Sequence, residues 1–414
     1  MKACKVTSCN LCPASKKGAP TRADTRKRIV NGVGEPQQPL MMIVVDAPSR
    51  DDDNMGEYAT GDIGTQLMEA VRRAGVNTDD VFIVGANRCH LPGRATNRKE
   101  QEACRPYLEQ DIAATKPAVI VPMGTGALWS ILRKEGITAQ HGSVFDTEWG
   151  IPAVATFSPA SLFHNAGNIE YIIADIAKAA RVAEGVETPE LGEYSVALDV
   201  DEVECVRDIL VEEPLVAFDF ETWDNRRGGL NPRAPMAQIL CASFACQAAE
   251  GFTIPLVGWH LEEIWTTKEK RFVEDCIRDI LTSSADKVAA NGKFDLAWAR
   301  YALNCRVTNY YDDSQYGYAI HHEERPHSLE HQRIMFTNMP RYESFKDDPA
   351  IREMMKELSP HGVAWGYAGI PTDYLWNYAA ADVDCVLRVH EVNMQKLSSD
   401  SHGVGGPFYR PARR

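Results

Sequence analysis

No stretch of this 414-residue chain approaches the ~20 consecutive apolar residues needed to cross a bilayer, so no membrane-spanning helix is read. The N-terminus is basic, but no apolar stretch follows it, which argues against a secretory signal. No internal repeat is found, which sets repeat architectures aside. A surplus of positive charge is also missing. The net charge of −14 has the wrong sign for a protein whose whole surface grips nucleic acid. Cysteine, by contrast, is not scarce. Eleven cysteines would suit a disulfide scaffold in a small secreted chain; at this length reduced thiols or metal ligands are expected, and with them a cytoplasmic location.

Hydrophobic residues at 44% and charged residues at 25% are the proportions of a soluble globular protein, and the length suggests two domains. The charge is divided between the halves. Residues 1–185 hold 21 basic and 21 acidic residues, whereas residues 186–414 hold 23 and 37. Within the first half, the arm 1–34 carries eight basic residues against Asp24 alone. A local basic patch is therefore compatible with an acidic whole, and metal-binding carboxylates would themselves add negative charge.

The first half alternates apolar strands ("LMMIVVDAP", "DVFIVGA", "AVIVPMG", "PAVATFS") with helices, the last over 167–184 with Ile169, Ile172, Ile173 and Ile176 at helical spacing. That alternation predicts a three-layer α/β/α domain around a parallel sheet, over 1–184. "EGVETPELGEY" is acidic, with Gly and Pro, and reads as a linker over 185–193. The second half runs through strands in succession ("LVAFDFET", "AQILCASFACQ", "GFTIPLV") and then mainly helices, so a second α/β domain with a mixed sheet is expected over 194–397. A Gly/Pro-rich tail, 398–414, is read as flexible.

"AFDFET" sets Asp219 and Glu221 two apart on a strand, and the strand period puts both on one face. Two carboxylates so placed repel unless a cation sits between them. "ANGKFDLAW" supplies Asn291 and Asp295 after a short strand. In "NYAAADVD", Tyr378 and Asp382 lie four apart on one helix face. Asp384, two residues further on, is read as a solvated helix position. Phe218 and Phe220 are expected in the core, whereas Trp223, just past the strand, is the better candidate for stacking on a terminal base.

This ordered set resembles the DEDD superfamily of 3′–5′ exonucleases, in the subclass with tyrosine in the third motif, over about 194–395. It is most similar to the proofreading domain of family A DNA polymerases, with RNase D-like enzymes as cousins. The resemblance implies a ribonuclease H-like fold. It implies two Mg²⁺ or Mn²⁺ ions on Asp219, Glu221, Asp295 and Asp382, and Tyr378 orienting the attacking water. Hard divalent ions prefer such oxygen ligands, and a pair of them suits phosphodiester hydrolysis.

Near the start, "SCNLCPASKK" offers Cys9 and Cys12, and "NRCHLPGRATNRKEQEAC" adds Cys89 and Cys104. The C-x2-C and C-x14-C groups suit Zn²⁺ or a [4Fe–4S] cluster, and spacing alone does not decide between them. A thioredoxin-like redox pair is the weaker reading, because no strand precedes Cys9. Cys4 is left over, and Cys205, Cys241 and the remaining cysteines are expected to be buried thiols.

From "CNLC" through "RIVNGVGEP", "IVVDAP", "NRCHLPG…EACRPYLE", "VPMGTGAL" and "ATFSPASLF", residues 9–182 resemble family 4 uracil-DNA glycosylases. That resemblance implies a [4Fe–4S] cluster on Cys9, Cys12, Cys89 and Cys104. It does not imply glycosylase activity. Asp46 stands where the family has glutamate, Ala59 where it has the uracil-stacking phenylalanine, and Gly85 where it has the asparagine that reads the base. Ser158 replaces the histidine that stabilises the departing uracil anion, and His164 is a weak substitute. Base flipping needs a stacking wall and edge hydrogen bonds, and the leaving anion needs a placed donor. Arg94, Arg98 and Lys99 in "PGRATNRK" are candidates for phosphate contacts, the alternative being solvated loop charges.

The expectation is a metal-dependent 3′–5′ exonuclease acting on single-stranded or primer–template DNA 3′ ends, behind an inactive glycosylase-like module. The arrangement resembles the front end of some phage family A DNA polymerases, which for a phage protein would mean the bacterial host cytoplasm. The chain ends soon after the third motif, so a separate DNA polymerase chain is the expected partner. Alternatives are a uracil-DNA repair enzyme with coupled end trimming and a non-catalytic polymerase accessory subunit.

Overall fold

The computed structural model describes residues 9, 29–35, 37–91, 94–186, 190–226, 230–321, 323 and 326–399. Two compact units divide the chain, Met1–Pro189 and Glu190–Arg414. Most of the basic arm, Cys12 among it, and the tail from residue 400 lie outside the described residues.

In the first unit, β1 (Val33–Gly34), β2 (Met41–Val45), α1 (Arg50–Met55), α2 (Gly61–Arg73), β3 (Val81–Gly85) and α3 (Arg98–Thr115) come first. They are followed by β4 (Val119–Met123), α4 (Thr125–Leu132), α5 (Ile137–Gln140), β5 (Val144–Asp146), β6 (Pro152–Val154) and α6 (Asn168–Ala183). The sheet runs β1-β3-β2-β4-β6-β5, with β3, β2, β4 and β6 parallel. The strands are buried on both faces because their side chains alternate between two helical layers. Ile43, Ile83 and Val121 meet Leu67 and Val71 of α2 and Ile176 of α6. Met42, Phe82 and Ile120 meet Leu108 and Ile112 of α3 and Ile131 of α4. This is the three-layer α/β/α arrangement, extended by antiparallel edge strands, β1 on β3 and β5 on β6. Two- and three-residue strands carry too little periodicity to be read from sequence.

The second unit begins with β7 (Glu193–Val196), α7 (Val200–Glu212), β8 (Leu215–Trp223), β9 (Gln238–Ala245), β10 (Glu250–Pro255) and α8 (Thr267–Thr282). It continues through β11 (Asp286–Ala289), α9 (Lys293–Ala302), β12 (Tyr310–Asp313), α10 (Ser314–His321), α11 (Leu329–Phe336) and α12 (Pro349–Lys356) to α13 (Thr372–Ser399). Its sheet is mixed, in the order β12-β11-β8-β9-β10-β7. The pairs β8–β9 and β9–β10 are antiparallel, while β11 runs parallel to β8 and to β12, and β7 parallel to β10.

Strand β8 decides where the acids point. Val216, Phe218 and Phe220 face α7 and α8 in one core, with Val203, Leu210, Val273 and Ile277. Ala217, in the alternate set, packs with Val383, Val386 and Leu387 of α13. Asp219 and Glu221 continue that alternate set, so both carboxylates look toward α13. The β8–β9 register shifts between Glu221 and Thr222, a local irregularity of the kind found beside active sites. Residues 337–371, largely loops and 3-10 turns, bring Phe345, Val363 and Ile370 over the end of β8 and onto Trp223 and Leu375.

Among the described residues, no helix is long and apolar enough to cross a membrane.

Candidate active site

Oxygen atoms of Asp219, Glu221 and Asp382 all lie within 4.8 Å of one another. Burial raises all three carboxyls. Asp219 is pushed up to about 7, first by loss of water and then by the charge of Asp382. Asp382 reaches about 6 through burial, held back by hydrogen bonds from Tyr342 and Tyr378. Glu221 stands well above its ordinary value through burial and the charges of Asp219 and Asp382. Three such acids cannot all ionise without added positive charge, and their all-oxygen donor set fits a hard divalent cation.

Asp295, near the N-terminus of α9, is 2% exposed and stands outside the tight trio. It accepts a 3.1 Å hydrogen bond from the Phe220 backbone, and its own carboxyl is raised by burial and by Asp219. Asn291 turns the chain from β11 into α9 with φ at 58°, the left-handed region that Asn tolerates. Its backbone N–H donates to Asp313 at 3.0 Å, as that of Gly292 does at 2.9 Å.

Tyr378 and Asp382 share a face of α13, as their spacing predicts. The Tyr378 hydroxyl is within hydrogen-bonding reach of both Asp382 and Tyr367. Its ionisation is pushed far up by burial and by the charges of Asp382 and Glu221, so the phenol stays protonated. Three residues that the sequence reading passes over complete the wall. Tyr342 donates to Asp382 Oδ1 at 2.7 Å, Lys346 donates to the Tyr367 hydroxyl at 3.0 Å, and the Lys346 ammonium lies 4.0 Å from the Tyr378 ring centre. The interleaved basic and aromatic residues of "RYESFK" are the one local signal that could have drawn attention to Tyr342 and Lys346.

Beside Glu221 opens a cavity of about 810 Å³, walled by Phe220, Trp223, Phe294, Leu358 and Tyr367. Trp223 is not a free stacking platform. It is 2% exposed, donates its indole N–H to Ala364 at 3.3 Å, and packs against Trp365. Phe218 and Phe220 are core residues. Asp384 is not solvated: fully buried, it accepts from Tyr194 at 2.9 Å and Ala249 at 2.8 Å and pairs with Arg388 at 2.8 Å. Cys205 is exposed rather than buried, whereas Cys241 is buried.

In the first unit, Cys9 and Cys89 are partly buried and Cys104 is buried, while Cys12 lies outside the described residues. Tyr58, 3% exposed, lies in the same buried region. Its ionisation is raised chiefly by burial, with both thiols adding to the rise and Arg88 opposing it. Arg88 is buried and paired with Asp111, yet its Nε and Nη1 find no partner among the described residues.

Arg94 is locked to Glu100 by bonds of 2.9 and 2.5 Å, and Glu100 also closes the capping box that starts α3 at Asn97. Arg98 is engaged by Gln101 at 2.8 Å, by Glu135 and by the Trp129 ring. Neither arginine is a freely solvated loop charge; Lys99 alone of the three is exposed. A cavity of about 740 Å³ is bounded by Asp46, Tyr58, Ala59 and Ser158. Asp46 accepts from the Ala127 backbone at 2.7 Å and so caps α4. Ser158 caps its own 3-10 turn, and His164 is exposed.

The uracil DNA glycosylase superfamily profile matches residues 32–179. A type-4 uracil-DNA glycosylase of Pyrobaculum aerophilum is 36% identical over 136 residues, 33% of this chain and 65% of that one. A type-5 uracil-DNA glycosylase of Mycobacterium leprae is 30% identical over 156 residues, 32% of this chain and 68% of its own length. The chain belongs to the uracil-DNA glycosylase superfamily. Membership rests on the first unit. Beyond it, a DNA polymerase of Bacillus phage SP01 is 22% identical over 360 residues, 81% of this chain and 37% of the polymerase. Among solved structures, the catalytic core of RRP6 from Trypanosoma brucei matches with a TM-score of 0.35 and 17% identity, covering 51% of this chain and 50% of that one.

Proposed function

We propose that the second unit is a divalent-metal-dependent 3′–5′ exonuclease that removes nucleotides from DNA 3′ ends. The observation that carries this reading is the convergence of Asp219, Glu221 and Asp382 within 4.8 Å, with the Tyr378 hydroxyl in reach of Asp382. Two Mg²⁺ or Mn²⁺ ions, held by Asp219, Glu221, Asp382 and Asp295, would supply the positive charge that phosphodiester hydrolysis needs at the attacking and leaving oxygens. Tyr378, protonated throughout, holds the attacking water by hydrogen bonding and lines it up with the scissile phosphorus. Glu221, which lines the cavity of about 810 Å³, is the proposed acceptor of the water's proton, and the departing 3′ oxygen takes a proton from solvent. The water oxygen bonds to phosphorus as the bond to the 3′ oxygen breaks, which releases a nucleoside 5′-monophosphate and leaves a shortened 3′-hydroxyl end. The cavity beside Glu221 accommodates the terminal base.

The polymerase context is supported by the phage relative. Its alignment takes in 81% of this chain, more than either unit contains, so it reaches into both. We read the protein as proofreading for a separate polymerase chain. In the first unit, Cys9, Cys12, Cys89 and Cys104 are proposed to hold a [4Fe–4S] cluster, with Zn²⁺ the alternative. The first unit's likeness to type-4 uracil-DNA glycosylases and the burial of Cys104 support a metal there. With Asp46 committed to α4 and Ser158 to its own turn, uracil excision is not proposed.

A 5′-labelled single strand incubated with Mg²⁺ or Mn²⁺ tests the nuclease. A ladder of shortened products is expected, falling at least about 100-fold in Asp219→Ala and Glu221→Ala. Equal rates in wild type and variants would refute the site. Co-purification with a polymerase, and an effect on its fidelity, test the partner. Absorbance near 400 nm with matching iron content tests the cluster.

A further inference from the structure

Lys346 sits on the 3-10 turn Ser344–Asp347, far in sequence from every carboxylate of the trio. Its ammonium makes three contacts: the Tyr367 hydroxyl at 3.0 Å, Glu343 at 3.4 Å and the face of the Tyr378 ring at 4.0 Å. Its side chain is 23% exposed, so the charge is set into the wall rather than waving in solvent. Tyr378 shares a face of α13 with Asp382, one helical turn away, so the ammonium on its ring sets one fixed cation on the trio's side of the site.

We propose that Lys346 is a positioning residue of the nuclease site, a built-in cation that holds the Tyr378–Tyr367 pair and competes with the divalent ions for the carboxylate charge. This rests on the nuclease reading of the second unit. Two consequences follow, and they have opposite signs. The ring of Tyr378 is held from one face by the ammonium, and Tyr367, within reach of the Tyr378 hydroxyl, is held by the same group. Removing Lys346 frees both tyrosines and misplaces the water that Tyr378 orients, so turnover falls. The same removal takes a positive charge away from three carboxylates, so divalent ions bind more tightly. A side chain that merely supported the fold would lose both together.

The experiment is a Mn²⁺ titration of the full chain, read by electron paramagnetic resonance, alongside degradation of a labelled 3′ end. Lys346→Met is expected to tighten Mn²⁺ binding on the order of 10-fold, a charge effect at partly buried range. Its kcat is expected to fall on the order of 10-fold or more, with KM little changed. Lys346→Arg keeps the charge, so its Mn²⁺ affinity stays near that of wild type and part of the turnover returns. Unchanged or weaker Mn²⁺ binding in a folded Lys346→Met overturns the proposal, as does full turnover. If Lys346→Met loses its circular dichroism, Lys346→Gln removes the charge while keeping a donor for Tyr367, so tighter Mn²⁺ binding is expected of it and unchanged or weaker binding overturns the proposal. Wild-type protein that leaves 3′ ends intact defeats the nuclease reading alone, because the Mn²⁺ titration still reports on Lys346.

Discussion

The Tyr342 hydroxyl donates a 2.7 Å hydrogen bond to Oδ1 of Asp382 and so fixes one member of the carboxylate trio. Burial and the Asp382 charge keep this phenol protonated, so it is a permanent donor. Its bond favours the ionised carboxylate, the form that binds a cation. Tyr342→Phe should therefore raise Asp382 further above its value of about 6. Mn²⁺ affinity and 3′-end degradation should both fall, each by about 10-fold, the worth of one charge-assisted hydrogen bond. Lys346→Met moves Mn²⁺ affinity the other way, so the two variants separate a lost donor from a lost charge. Wild-type Mn²⁺ affinity in Tyr342→Phe would show that the bond has no hold on the site.

The trio also sets a pH dependence. Asp219 and Asp382 titrate at about 7 and about 6 in the folded protein, against 3.8 for an ordinary aspartate. The metal-free fold thus binds these protons more tightly than the unfolded chain does. Their stabilising contribution is present below pH 4 and is lost as the pH climbs through 6 and 7. Divalent ions, which bind the ionised carboxylates, should restore it. Thermal denaturation should show Mn²⁺ raising Tm more at pH 8 than at pH 5. An equal or larger rise at pH 5 would contradict the assignment of these acids as the ion's ligands.

What could be read from sequence here is what local periodicity carries. Alternation along "AFDFET" places Asp219 and Glu221 on one face of β8, and four-residue spacing places Tyr378 and Asp382 on one face of α13. Tyr342, Lys346 and Tyr367 come instead from residues 337–371, where a loop, two 3-10 turns and one short helix show no usable period; only tertiary folding sets them against α13. The same segment covers Trp223, which is why a residue just past a strand is buried rather than exposed. Asp384 fails for a related reason. Two residues from Asp382 on the same helix, it points to a different neighbour, and its burial depends on Tyr194 and Arg388 rather than on anything in "ADVD". In the first unit, the departures at Asp46, Gly85 and Ser158 are legible as residue types, but their consequences are steric and need coordinates.

Gly85 shows what such a consequence is. A Cβ at this position would stand 2.3 Å from both the Tyr58 hydroxyl oxygen and the Asn87 backbone carbonyl oxygen, closer than any non-bonded contact allows. Tyr58 cannot easily move aside, because it is 3% exposed and its hydroxyl donates to the Asn87 carbonyl at 3.3 Å. The hydroxyl and the Asn87 carbonyl together fill the space that a base-reading side chain at residue 85 would need. Gly85→Asn should therefore fail to create uracil excision, scored by alkali cleavage of a uracil-containing single strand. It should also destabilise the protein by about 1–3 kcal/mol, as overpacking in a close-packed interior does. In a Tyr58→Phe background one of the two clashing oxygens is gone while the Asn87 carbonyl remains, so the penalty of Gly85→Asn should shrink in part, a coupling that a double-mutant cycle isolates. Equal penalties in the two backgrounds would mean that Tyr58 is not what closes this position. Alkali-labile product from Gly85→Asn alone would mean that the pocket is open to a flipped base after all.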